Sequence, residues 1–445
     1  MGQHLTGDGA QGSGATVRAL TARPLAMRRM AFRERIAVSM WFVPTLFVAG
    51  AFGLSLFTLW LDSRLDLAAT WLPAGTPGAA ESLAATIAAG MLTFTAVVFS
   101  TTLVAIQLAG GQYSPRVVRV FVRSGLTHVT LGVFLATFVV ATNVLVDIRE
   151  GSRVRVPAIT VGMLYVLVLA TLAAFIAFAS RIVRLLRVQY LLRTVAGHGR
   201  AAIDRYVPPA GAYRRVARPE PSAGARLVRN EGRSGVLISV DVHTLAGAAR
   251  DAGGWVELVV QPGEYLGQGT PVARLHGCRP GEPGDAAVLG CLLLGGERTL
   301  VQDPGFALRQ LVDIAARALS PAVNDPTTAT QAVDRVTDLL TTCARRPDPT
   351  GWYADAAGTA RVHVPAPDFA RLADLGYTEI ALYGAGAPQV TRRLLAAYDV
   401  LEGLVGPERV PVLEALRGRL VRVVREQVPE PFADVASRPD RLGLG

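Results

Sequence analysis

Four stretches of this chain, residues 40–61, 82–115, 124–146 and 156–180, contain no Asp, Glu, Arg or Lys and are built mainly of Leu, Val, Ala, Phe and Ile. Each reaches or exceeds the ~20 residues a helix needs to cross a bilayer. Hydrocarbon offers backbone N–H and C=O groups no partner but one another, so such stretches are read as helices. One such run is compatible with a buried core helix of a soluble protein, but four in succession disfavour it. The first run is also too long for the apolar part of a signal peptide and is read as a retained span. Composition agrees: 18% of residues are charged, where soluble proteins carry about 25%.

The charges are one-sided in kind. The chain holds 45 basic residues and 35 acidic ones, a net charge of +10, and every basic residue is Arg. Without lysine there is no Schiff base, P-loop lysine or carrier-type attachment site. Cys278, Cys291 and Cys343 are too few and too irregularly spaced for a disulfide framework or a zinc site. They are expected to be reduced, mostly buried thiols. No cofactor or metal is expected.

Arginine placement gives an orientation. Thirteen arginines flank the spans on one side: Arg18, Arg23, Arg28, Arg29, Arg33 and Arg35, then Arg116, Arg119 and Arg123, then Arg181, Arg184, Arg187 and Arg193. The other side has four: Arg64, Arg149, Arg153 and Arg155. Both termini are therefore expected to be cytoplasmic. The basic clusters can lie against anionic lipid head groups, so no nucleic-acid partner is needed to explain them.

In the second span Thr86, Thr93, Ser100 and Gln107 recur every seven residues, which puts them on one face with a drift of ~20° per step. Two readings stay open. Such a stripe can pack against another helix through small and hydroxyl residues, or line a wet path formed by several copies of the chain. No Asp or Glu lies within a span, which weakens proton-coupled transport. His128 and Asn143 are expected to be interfacial or packing residues, and Gly132 with Ala136 a face for helix contact.

The expected organisation is a basic N-terminal tail (1–35), a four-helix transmembrane domain (36–195), a linker (196–230), a small β-rich module (231–295), a helical cytosolic domain (296–430) and a tail (431–445). The fold class is thus a membrane α-helical bundle followed by a cytosolic α+β domain. Gly197-His198-Gly199-Arg200-Ala201-Ala202 matches a dinucleotide string, but no strand precedes it. The Gly- and Pro-rich turns around 261–269 resemble the half-barrel of biotinyl or lipoyl modules, without the lysine those modules modify. Further on, Glu297, Arg298 and Asp303 lead into a helix from about 304 to 319, with Arg309, Asp313 and Arg317 at i, i+4 and i+8. Asn324 and Asp325 with Pro326 break that helix and start another. This charged set is either a structural ion ladder or a ligand site.

Three passages carry a resemblance. They are Val98-Phe99-Ser100 through Gln107 to Tyr113-Ser114-Pro115-Arg116; Gly296-Glu297-Arg298-Thr299 through Arg309 and Asp313 to Asn324-Asp325-Pro326; and Tyr383-Gly384-Ala385-Gly386. On these the chain, from about residue 35 to 427, resembles a bacterial family of predicted integral membrane proteins catalogued as domain of unknown function 2254. The resemblance implies an inner-membrane protein with a cytosolic C-terminal domain and supplies no activity, cofactor or catalytic residue. The reading that follows is a homo-oligomeric channel or channel-like protein, with the lipid bilayer and other copies of itself as partners and an unidentified small ligand as a further candidate. The alternative is a membrane-tethered scaffold, signalling protein or enzyme acting through its soluble part.

Overall fold

The computed structural model describes residues 14–19, 41–65, 76–112, 125–150, 156–185, 187–207 and 213–441. Most of the N-terminal tail, the loop arginines Arg116, Arg119 and Arg123, and the passage from Tyr113 to Arg116 lie outside the described residues. The chain divides into two compact units, Met30–Leu191 and Leu192–Gly445 together with Met1–Arg29.

The first unit holds four helices, α1 (Phe42–Arg64), α2 (Pro77–Gln112), α3 (Gly125–Glu150) and α4 (Ala158–Leu185), each long and apolar enough to cross a membrane. Helix α2 starts earlier than its uncharged run, because the Thr76 hydroxyl accepts the Ala79 N–H (3.3 Å) and Pro77 follows it. Helix α3 packs on α1, α2 and α4. Its Gly132 is needed there: a Cβ would lie 2.8 Å from the Phe47 ring of α1. Ala80, Ala84 and Ala88 of α2 share a core with Val140, Ala141 and Val144 of α3 and with Val161 and Leu164 of α4.

Several polar groups between these helices are paired, as a low-dielectric interior favours. Asn143 donates to the Ser55 hydroxyl (2.5 Å), and the Thr137 and Thr171 hydroxyls bond to each other (3.0 Å). Asp62, at the end of α1, caps the N-terminus of α4. Its carboxylate accepts the N–H groups of Ile159 (2.8 Å) and Thr160 (3.0 Å) and the Thr160 hydroxyl (2.7 Å).

The second unit mixes sheet and helix. Strands β1 (Gly14–Ala19), β2 (Tyr213–Ala217), β3 (Arg226–Arg229), β5 (Trp255–Leu258), β7 (Pro271–His276), β9 (Trp352–Ala354) and β10 (Ala360–His363) form one sheet in the order β2-β1-β9-β10-β5-β7-β3. Strands β4 (Gly235–Val240), β6 (Tyr265–Leu266) and β8 (Leu292–Gly295) form another, ordered β6-β4-β8. Val256, Leu258, Ala273 and Leu275 of the large sheet share a core with Leu245, Ala246 and Ala249 of α6 (Val242–Asp251) and with Val288 of α7 (Asp285–Gly290). Asp241 caps α6 by accepting the Thr244 N–H (3.0 Å). The helical part comprises α8 (Gly305–Ala318), α9 (Pro326–Ala344), α10 (Phe369–Gly384), α11 (Pro388–Glu402), α12 (Val410–Gln427) and α13 (Glu430–Ala436).

Several segments differ from the sequence expectation. The stretch 196–230, expected as a linker, holds the end of helix α5 (Val188–Tyr206) and strands β2 and β3. Strand β1 falls within the expected N-terminal tail and pairs with β2 and β9. Strands β9 and β10, inside the expected helical domain, insert into the large sheet, where the half-barrel pattern had pointed to a self-contained module. These strands are three to six residues long, and apart from the β9–β10 hairpin they pair with partners far away in sequence, so a local period-two signal scarcely exists. The C-terminal segment is held: Thr391 donates to the Ala436 carbonyl (2.9 Å) and the Asp440 N–H to the Arg392 carbonyl (3.0 Å).

Helix α5 explains the dinucleotide-like string. A Cβ at Gly199 would lie 2.6 Å from Ala307 Cβ of α8 and 2.9 Å from Leu339 of α9, whereas one at Gly197 meets nothing within 4 Å. Replacing a helical Gly by Ala gains about 1 kcal/mol of propensity, and overpacking costs about 1–3 kcal/mol. Ala307 Cβ cannot rotate away, so the steric term wins at Gly199. Thermal unfolding should therefore show Gly199→Ala destabilised by about 1–2 kcal/mol and Gly197→Ala stabilised by up to about 1 kcal/mol. Equal responses would contradict this packing.

Candidate functional site

The charged passage from Glu297 to Asp325 is drawn into structural contacts. Asp303 is buried and accepts two hydrogen bonds from Arg298 (Nε 2.8 Å, Nη2 2.7 Å) and one from the Phe306 N–H (3.0 Å), which caps the start of α8. Burial pushes its carboxyl upward, against the downward pull of Arg298 and of the Phe306 and Gly305 N–H groups. The Gly263 turn closes over this pair: its φ is +97° and a Cβ would lie 2.3 Å from Asp303 Oδ2. The Gln302 side chain pairs with both backbone groups of Val240 in β4 (2.8 and 3.1 Å). The passage therefore joins the sheets to the helices.

Of Arg309, Asp313 and Arg317, read from the sequence as an intrahelical ladder or a ligand site, Arg309 and Asp313 pair within the helix and Arg309 is also tied to a second one. Arg309 Nε donates to Asp313 (2.7 Å), while its two terminal nitrogens clasp Glu379 of α10, Nη2 to Oε2 at 2.6 Å. The Glu379 hydrogen bond leads the effects that hold the Arg309 guanidinium above its already high ordinary range. Arg317 and Glu297 are exposed. Asn324 takes a left-handed φ of 47° in the turn between α8 and α9. Asp325 caps α9, accepting the Thr328 N–H (3.0 Å) and hydroxyl (2.5 Å). Helices α8 and α10 run side by side in the same direction. Glu379 meets Arg309, and a Cβ at Gly384 would come within 3.3 Å of Leu319. The turn containing Asn324 and the Tyr383–Gly386 turn thus emerge at one end, where Val323, Leu382 and Tyr383 are exposed.

The hydroxyl stripe of α2 has the opposite character. Thr86, Thr93, Ser100 and Gln107 are all exposed on the four-helix unit, while Ala84, Ala88, Met91, Val98, Thr102 and Ala105 are buried. Thr86 and Thr93 donate to carbonyls of their own helix, Ser82 (2.8 Å) and Ala89 (3.2 Å). The stripe therefore lies off the face that α2 buries among the described residues.

Sequence reasoning missed a third cluster, on the face of the large sheet turned away from its aliphatic core. Trp255 stacks on His276 (centroids 4.1 Å apart) and Trp352 lies against both Trp255 (5.1 Å) and His363 (4.9 Å). His276 Nδ1 accepts the Ser222 N–H (3.1 Å), so the ring proton sits on Nε2, 3.4 Å from Glu257. Arg274 also pairs with Glu257 (3.3 Å). Burial, and to a lesser degree Arg218, lowers the His363 pKa against the pull of Glu257. The available signal was the alternation of Trp255 with Glu257 and of Arg274 with His276, polar or aromatic positions between aliphatic ones. The three thiols are unpaired, and burial pushes Cys291 up to about 11 and Cys343 up to about 12. Among the described residues no group of three or more His, Cys, Asp or Glu is placed to hold a metal ion.

Four long apolar helices followed by a mixed sheet-and-helix unit define a multi-span membrane protein. The chain belongs to the family described as "Predicted membrane protein (DUF2254)", whose model matches residues 37–399. It is 31% identical over 419 residues to an uncharacterised protein of Mycobacterium bovis, covering 91% of this chain and 79% of that one, and equally to one of Mycobacterium tuberculosis. No solved structure matches the chain.

Beside the sheet cluster, Asp355 closes the β9–β10 hairpin, accepting Arg361 Nε (3.0 Å) and the N–H groups of Thr359 (2.9 Å) and Ala357 (3.0 Å). Burial raises its carboxyl, but Arg361 and the N–H groups together outweigh burial and hold it below its ordinary value. A depressed folded-state value contributes stability above the unfolded value, lost as pH falls through the folded one. The difference in melting temperature between wild type and Asp355→Asn should be constant from about pH 5 to 7 and shrink below about pH 4. A difference that widens in acid would contradict this.

Proposed function

We propose that this chain is an integral protein of the bacterial inner membrane that assembles into a homo-oligomer around α2, forming a channel or channel-like conduit. Its soluble unit is then a cytosolic regulatory domain, with both termini inside, as the arginine distribution favours. The observation that carries the reading is the outward stripe of α2. From Thr86 to Gln107 is 21 residues, or ~32 Å at the helical rise, close to the ~30 Å depth of the hydrocarbon. Thr86 and Thr93 give their hydroxyl protons to their own helix, but facing lipid tails the Gln107 amide and the acceptor capacity of the hydroxyls would go unused along that depth. Around an axis shared by several copies, the same file meets water or its own symmetry mates.

The contacts of Arg298, Asp303, Arg309, Asp313 and Asp325 support a structural use of these residues rather than a reacting centre. The scaffold or enzyme alternative draws instead on the Glu257–His276–His363 face, a polar constellation that the helix joints do not use.

In a background with Cys278, Cys291 and Cys343 replaced by Ala, Thr93→Cys and Ser100→Cys should cross-link copy to copy in membranes, and Ala84→Cys should not. In planar bilayers the purified protein should conduct, and Ser100→Leu should lower the unitary current roughly twofold or more. Cross-linking of the Ala84→Cys variant in preference to the Thr93→Cys variant, with no current under any voltage or gradient, would overturn the proposal.

A further inference from the structure

The α3–α4 interface ends in two buried nitrogens that have no partner. His128 on α3 is 3% exposed, and its Nε2 makes no hydrogen bond. Arg181 on α4 has a buried Nε with no acceptor, and its guanidinium lies over the Tyr190 ring at 5.7 Å. The antiparallel register brings the two residues to one level. Thr137 meets Thr171, and Leu131 and Phe134 share a cluster with Phe178. His128 is one turn beyond Leu131 and Arg181 one turn beyond Phe178, on facing helices.

Buried donors without acceptors are uncommon, and a cationic one is especially costly. The acceptor is not supplied by the described residues of the unit. Their acidic side chains, Asp62, Glu81 and Asp147, all belong to the opposite end of the helices, where Asp62 caps the start of α4. The charged residues nearest Arg181 in sequence are Arg184 and Arg187. The depth also has meaning. Thr171 is the middle of the candidate span Ala158–Arg184, and Arg181 follows ten residues later. Ten residues rise ~15 Å, half the ~30 Å hydrocarbon thickness. The orphan donors therefore sit where apolar tails give way to phosphates.

We infer that His128 and Arg181 form a binding site for the oxygens of a phosphate ester, entered between α3 and α4 at the edge of the hydrocarbon. Guanidinium and imidazole N–H groups both match such oxygens, and the ion offsets a charge that has no acidic counterpart among the described residues of the unit at that end. The depth favours a lipid head group as the source over a soluble phosphate. The site is independent of whether copies assemble around α2.

The experiment uses the full chain in detergent, stripped of lipid, with thermal unfolding as readout and three separate additions: phosphatidylglycerol, diacylglycerol with the same acyl chains, and inorganic phosphate. Phosphatidylglycerol should raise the melting temperature and diacylglycerol should not. The apparent affinity should fall about tenfold or more in Arg181→Met and in His128→Leu, as expected when one charge-assisted hydrogen bond is lost. Without any addition the same variants should unfold at or above the wild-type temperature, because each removes an unsatisfied buried group. That sign reversal separates the site from a merely structural role and does not require the variants to be as stable as wild type with ligand. Stabilisation by inorganic phosphate equal to that by phosphatidylglycerol keeps the site and assigns a soluble anion to it. Equal effects of phosphatidylglycerol and diacylglycerol, or variants that keep the wild-type response, would overturn the inference.

Discussion

Hydrocarbon supplies no hydrogen bonds, and the first half of this protein is organised around that fact. Each span must satisfy its backbone within a helix, and each polar side chain between helices must find a partner inside the unit or lose several kcal/mol. Three contacts between the helices follow this rule: Asn143 with Ser55, Thr137 with Thr171, and Asp62 of α1 on the first N–H groups of α4. Two places depart from it. The outward file on α2 presents polar groups to whatever surrounds the unit, and His128 with Arg181 holds buried nitrogens that find no partner among the described residues. For the first we propose other copies of the chain, and for the second a phosphate-bearing ligand.

The second unit solves a different problem with one kind of cation. A guanidinium is a planar fork that can bind two acceptors at once, which an ammonium cannot do with fixed geometry. Arg346 binds the end of α5 through the Val207 carbonyl (2.6 Å) and Asp204 (2.5 Å). Arg409 binds the end of α9 through the Ala344 and Arg346 carbonyls (3.3 and 3.1 Å), pairs with Asp348 (2.9 Å) and lies over the Phe369 ring. Arg309 ties α8 to α10. A chain without lysine thus uses its arginines as clasps at helix ends and between helices, which accounts for a strong charge pattern that needs no substrate.

The four membrane helices were legible because a long uncharged run has few other outcomes, and capped helices such as α9 were legible because Asp325-Pro326 is a local start signal. The large sheet was not. Its strands come from five separated stretches, and the short β9–β10 hairpin joins the sheet only through the pairing of β9 with β1 and of β10 with β5. The site residues divide in the same way. Spacing alone put Thr86, Thr93, Ser100 and Gln107 on one face, but which way that face points is set by the alanine edge that α2 buries. Arg309 and Asp313 were visible as a ladder, whereas Glu379, 70 residues away, was not. The Trp255–His276–Glu257 cluster joins two strands across a turn and involves no recognisable motif.

A nitroxide scan along α2 in lipid bilayers tests the central claim most directly, because oxygen dissolves in lipid tails and a nickel chelate stays in water. The account predicts oxygen accessibility that rises and falls with the helical period, high at Leu92 and Val104, low at Ala84 and Val98, and also low at Thr93 and Ser100, where a neighbouring copy or water replaces lipid. Oxygen accessibility at Thr93 and Ser100 as high as at Leu92 would mean that the polar file faces lipid, and uniform chelate accessibility along the whole helix would mean that α2 does not cross the membrane.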